Sequence, residues 1–158
     1  MTDQTEASEG TAPASSAVDP KLVGIGGWLV LPAIGFVLGP IVGVVGLIAA
    51  FALFSDVDRS GYGGIYALEL LVQVGLLGFF LYAATRFFGK RTNAPSVIIT
   101  LFVVSLGASV VLLVIELGAG AEEFAIETGK QLVREVIGAA IWIPYFRVSK
   151  RVKATFVN

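Results

Sequence analysis

From Leu22 to Phe54 the chain runs for 33 residues without an Asp, Glu, Lys or Arg. As a helix this stretch would be roughly 50 Å long at about 1.5 Å per residue. A straight bilayer crossing needs only about 20 residues. No water-facing side could be drawn on such a helix, so lipid is its natural solvent. Gly24, Gly26 and Gly27 just before Trp28 mark a loose interfacial start, with the indole at headgroup level. Pro32 and Pro40 lie inside the run and predict a bend. Two arrangements satisfy the length: one tilted, kinked helix over about 26–54, or a re-entrant hairpin broken near Pro40.

The rest of the chain repeats the theme. Hydrophobic residues make up 56% of the 158 and charged residues 15%, against about 25% charged in a soluble domain. A second apolar run predicts a helix over about 65–88, and a third over about 95–117. A fourth, over about 129–149, is weaker. Arg134 and Glu135 interrupt it, and its uninterrupted part, Val136 to Phe146, is 11 residues, too short to span alone. The expected fold is therefore an all-α integral membrane protein, a bundle of four transmembrane helices in residues 21–158. Residues 1–20 are small, polar and acidic, and predict a disordered cytoplasmic tail. Asp19-Pro20 reads as a helix start.

Four crossings put both termini on one side. That side collects Lys21, Arg86, Lys90, Arg91, Arg147, Lys150, Arg151 and Lys153, eight cations, against Arg59, Lys130 and Arg134, three, on the other. The positive-inside rule then places both termini in the cytoplasm. At the C-terminus, IWIPYFRVSKRVKATFVN sets Trp142, Tyr145 and Phe146 beside Arg147, Lys150 and Arg151. With Trp28 these predict interface anchors: an aromatic belt followed by cytosolic cations.

Several chemistries are excluded or unsupported. With no cysteine and no histidine, thiolate chemistry, disulfides and the commonest general base and metal ligand are absent. No nucleophile–base pair is recognisable, so no enzyme, no metal and no cofactor are expected. A net charge of −1 argues against a nucleic-acid partner. The expected partners are the lipid bilayer, and either further copies of the chain or another membrane protein.

The polar residues inside the apolar runs are the candidate site. Glu69, Gln73, Arg134 and Glu135 fall where a charge costs about 2.5–3.5 kcal/mol at mid-helix on insertion scales. Tyr62, Tyr66, Glu69 and Gln73 follow helical spacing and share one stripe. Counted from the same side, Glu69 and Arg134 lie at matching depth, which predicts an ion pair, with Gln73 and Glu135 nearby. Such a pair would fix helix register; the other reading is a proton or ion relay, or the floor of a small cavity. Gly35, Gly39 and Gly43 form GxxxGxxxG, a pattern for close helix packing within the chain or between copies. Ser105 and Ser109 are expected to bond back to their own helix. Glu122, Glu123 and Glu127 are expected to be a solvated acidic loop.

Two stretches, GIGGWLVLPAIGFVLGP at 24–40 and IWIPYFRVSKRVKATFV, resemble the bacterial membrane proteins of domain-of-unknown-function family 2569. The resembling positions are Gly26-Gly27-Trp28-Leu29, Pro40, Glu69, Lys90-Arg91 with Pro95, and Ile141 to Tyr145 with Ser149 to Val152. The resemblance implies a bacterial cytoplasmic-membrane protein with four helices and supplies no activity. From the residues, the expected role is structural or accessory, through helix–helix contacts; the alternative is a small transporter or ion- or proton-conducting oligomer using Glu69, Gln73 and Arg134.

Overall fold

The computed structural model describes residues 24–157. The expected tail 1–20, the Asp19-Pro20 helix start and Lys21 lie outside the described residues. A 3₁₀ turn, Gly27–Leu29, leads into α1, Val30–Arg59. Then follow α2, Gly63–Phe88, α3, Ala94–Gly118, α4, Glu122–Val148, and a short α5, Lys150–Thr155. No strand occurs among the described residues. In lipid this is the economical solution, because a helix satisfies its backbone groups internally.

The connections 60–62, 89–93 and 119–121 are so short that successive helices must run antiparallel. Packing follows chain order: α1 on α2, α2 on α3, α3 on α4, with no extended contact between α1 and α4. Charges sort to the two ends. Arg86, Lys90, Arg91, Arg147 and the cations of α5 lie at the end we call basic; Asp56, Asp58, Glu122, Glu123 and Glu127 lie at the acidic end.

The first apolar run is one unbroken helix, which removes the re-entrant alternative. Pro32 sits in its first turn, where no backbone N–H is needed, and Pro40 is accommodated inside. The helix also runs past the apolar stretch to Arg59, because backbone hydrogen bonding does not stop where lipid does. Among the described residues, three helices are long and apolar enough to cross a membrane: Gly27–Arg59 with its leading turn, Gly63–Phe88 and Ala94–Gly118. The expected four therefore become three by composition. α4 is as long as its neighbours, at 27 residues, but Lys130, Arg134, Glu135 and Arg147 break its apolar length.

The dry core lies at the basic end. Leu29 and Phe36, Ala83 and Phe87, Ala94 and Ile98, Phe146, and Val152 with Phe156 form one cluster drawn from every helix. Phe87 is its hub, with ring centroids 5.0 Å from Phe36 and 5.4 Å from Phe156 in tilted geometries. Phe146 is buried in this cluster, so it is a core residue and not the interface anchor expected of it. Trp142 and Tyr145 are half-buried against the same cluster, edge to face at 5.7 Å. Trp28 is 68% exposed.

The basic tail is also built into the fold. Ser149 breaks the helix with an extended backbone and accepts from the Val152 N–H at 3.4 Å, starting α5. Val152 and Phe156 then turn into the core, while Lys150 and Lys153 stay exposed. The Thr155 hydroxyl accepts from the Gly24 N–H at 3.2 Å and donates to the Gly24 carbonyl at 3.1 Å. Gly24 has φ +110, open to glycine alone at little cost. Arg151, half-buried, lies over Gly26 so closely that a Cβ there would sit 2.8 Å from its Nη1. Hence the glycine-rich start and the basic end, the two stretches that carry the family resemblance, are one closure in space.

The three glycines of α1 divide. A Cβ at Gly39 would fall 2.7 Å from the Phe80 ring, and one at Gly43 3.0 Å from Leu77, so both let α1 approach α2. Gly35 would meet nothing within 4 Å. It faces the gap between α1 and α4 and does not pack, contrary to expectation.

Candidate functional site

The acidic half of the bundle is built differently. Its α2 face is the stripe the spacing predicts. Tyr62 and Tyr66 bracket Phe124 of α4, with centroids 6.0 and 5.9 Å away, and their hydroxyls donate to the carbonyls of Gly120 and Ala50. One turn deeper on the same stripe come Glu69 and then Gln73, lining one small cavity of about 40 Å³. Ala108, Ser109 and Leu112 of α3 and Thr128 and Gln131 of α4 complete its wall. That volume holds a water or two, and its lining offers polar partners.

Three carboxylates converge here. Glu116, near the end of α3, is 0% exposed; its Oε1 accepts from the Thr128 hydroxyl at 3.0 Å, and its Oε2 is buried without a partner among the described residues. Glu69 Oε2 is likewise buried and unpartnered. Glu135 is the satisfied member: it accepts from Ser109 Oγ at 2.9 Å and from Gln131 Nε2 at 3.0 Å, one donor on each oxygen. At about 1.5 Å per residue, Glu116 is shallow, Glu69 lies about 9 Å inside α2 and Glu135 about 20 Å inside α4. The acids form a descending series from the acidic end to mid-bundle.

The predicted Glu69–Arg134 ion pair is absent. The ion pairs between described residues are Arg59–Asp56 and Lys130–Glu127, both exposed. Arg134 is exposed on the outer flank of α4, while Glu135 beside it turns inward. The depths do not match either: α4 begins at Glu122 and not near 129, so Arg134 lies about 18 Å inside it at about 1.5 Å per residue, and since neighbours on a helix are about 100° apart, only one of Arg134 and Glu135 can face the core. Glu135 faces in, where Ser109 and Gln131 supply donors. Gln73 and Glu135 do meet, in a groove of about 320 Å³ between α1 and α4 that also takes in Gly39, Gly43 and Ser105. Toward the basic end a second hollow, about 170 Å³, continues this gap between Gly35 and Trp142. At the acidic rim, a wide vestibule of about 570 Å³ is bordered by Asp56, Glu122 and Glu123.

Sequence reasoning missed Glu116, Ser109, Thr128 and Gln131 as site residues. Glu116 read as the end of an apolar run, and Ser109 was expected to bond its own helix, whereas it donates across to α4. The signal was present: Ser109 and Glu116 are seven residues apart on α3, two turns along one face. Glu122, Glu123 and Glu127 are exposed, as expected for a solvated face, and no group of acids fit to hold a metal ion occurs among the described residues. Chemically, the site can accept protons and hydrogen bonds in a setting of low polarity.

No solved structure matches the chain. Among curated proteins it is similar to the inner membrane protein YdgK of Escherichia coli (strain K12), 28% identical over 142 residues that cover 85% of this chain and 94% of that one. The apolar helices and this likeness make it a multi-pass membrane protein. The sequence pattern that defines one family matches from residue 22 to residue 157, the whole described bundle with both halves of the Gly24–Thr155 closure, and the chain therefore belongs to the family described as protein of unknown function (DUF2569).

Proposed function

We propose that this protein is a non-enzymatic accessory component of the bacterial cytoplasmic membrane that crosses it four times, holds both termini in the cytoplasm and acts through lateral helix–helix contacts. The observation that carries this reading is the open flank: α1 and α4 make no extended contact, and the grooves between them run from Glu135 to Trp142. A closed four-helix bundle would fill that gap with its own side chains. Arg134 supports the same reading. It is exposed on α4 one turn below Lys130, with no ion-pair partner among the described residues. A lateral neighbour bearing a carboxylate, or a lipid phosphate reached by snorkelling, would neutralise it. With Lys130 at the acidic-side boundary, the 11 apolar residues Val136 to Phe146, lengthened by the stems of Arg134 and Arg147, suffice for α4 as the fourth crossing.

The test uses the absence of cysteine. Single cysteines at Gly35, Gly46 and Ile137, outward positions on α1 and α4, are oxidised in native membranes. Cross-linking between copies or to another membrane protein at these positions, and none at Gly39, is the expected result. A chain that cross-links nowhere on this flank, yet dissipates an ion gradient when reconstituted alone, would establish the transporter instead. Reporter fusions after Asn158 and before Met1 check the orientation, and both should read cytoplasmic.

A further inference from the structure

We infer that Glu69 and Glu116 form a proton-binding site within the membrane, loaded from the acidic end only. Four observations carry it. Glu116 is fully buried, with one oxygen on Thr128 and the other unpartnered; Glu69 also buries an unpartnered oxygen. No Lys or Arg among the described residues forms an ion pair with either acid. A cavity of about 40 Å³ lined by Glu69 and by Thr128, the residue that donates to Glu116, has room for water beside the pair. Finally, the polar lining stops at Glu135, and beyond it the bundle is packed with Phe36, Phe87, Ile98 and Phe146.

An ionised carboxylate in an apolar interior costs many kcal/mol unless it is paired, so such groups neutralise instead. Two acids sharing one site cannot both ionise cheaply. Either carboxylate takes one proton from water, COO⁻ becoming COOH, and the new O–H donates to the cavity water or to the other acid. The groups that face the pair are few: Tyr66 and Gln73 on α2, Ser109 on α3, Thr128, Gln131 and Glu135 on α4. α1 contributes no charged residue before Asp56. Glu135 already accepts one hydrogen bond on each oxygen. The acid-rimmed vestibule, behind Tyr62 and Phe124, sets the side of loading.

The experiment is carbodiimide labelling of the full chain in lipid nanodiscs, mapped by mass spectrometry. N,N′-dicyclohexylcarbodiimide enters bilayers and reacts with protonated carboxyls, whose proton goes to the carbodiimide nitrogen as the oxygen bonds its carbon. Glu69 and Glu116 should label several-fold faster than Glu135, and faster still on acidification. Glu69→Gln should leave Glu116 labelled, and the Glu69→Gln, Glu116→Gln double variant should remain folded, since an amide copies a neutral acid. Labelling that is absent, or that does not vary with pH, overturns the proposal. So does protection by sodium at constant pH and ionic strength, which would assign the site to an alkali cation. A double variant that unfolds would also overturn it, because the two acids would then serve as ions. None of these outcomes depends on lateral contacts, so this inference and the accessory reading fail separately.

Discussion

The two ends of this bundle are made of the same helices and obey opposite rules. At the basic end, every helix contributes an apolar side chain to one buried cluster, to which α5 adds Val152. At the acidic end, Glu69, Glu116 and Glu135 replace such packing with carboxylates, two of them with an unanswered oxygen. The lesson is that a membrane bundle can hold its fold with one half and keep the other half chemically uncommitted. Lipid drives the apolar helices α1, α2 and α3 into the bilayer alike; only packing and hydrogen bonds distinguish how tightly they associate there.

If the division is correct, perturbations should rank accordingly. Phe87→Ala removes the hub of the dry core and should cost about 3–5 kcal/mol, read as a large loss of resistance to denaturant in detergent micelles. Gly39→Ala, which drives a methyl against Phe80, should cost about 1–3 kcal/mol. Gly35→Ala, facing open space, should cost almost nothing, and equal losses from the two would break the assignment of α1's packing stripe. Thr155→Val deletes both bonds to Gly24 and should cost about 1–2 kcal/mol, with faster amide exchange at Gly24 to Leu29 as the local sign. Smallest of all, Glu69→Gln and Arg134→Gln should combine additively, within about 0.5 kcal/mol. A larger coupling would restore the ion pair and erase the contrast between the ends.

Much of the fold was legible. The helices of 63–88 and 94–118 fall within two residues of the apolar runs, because in lipid the run and the helix share a cause. The misses are where that cause stops. α1 and α4 extend into water, to Arg59 and from Glu122, since exposed charges do not end a helix and Glu122 and Glu123 favour its N-terminus. α5 was missed because a basic stretch after an aromatic belt satisfies the topology rule without folding; only Val152 and Phe156, spaced to face inward together, hint otherwise. In the site, the Tyr62-to-Gln73 stripe was readable from spacing. Rotation of α4 was not, as it depends on which of two adjacent charges finds donors on α3.

The Gly24–Thr155 clamp joins residues 131 apart in sequence. During synthesis, therefore, the seal cannot form until residue 155 has been added, and the earlier helices must wait with their shared floor unlatched. Without Val152 and Phe156, Phe87 would lose the cover that this last turn of chain lays over it, so the hub of the dry core is completed by the residues added latest.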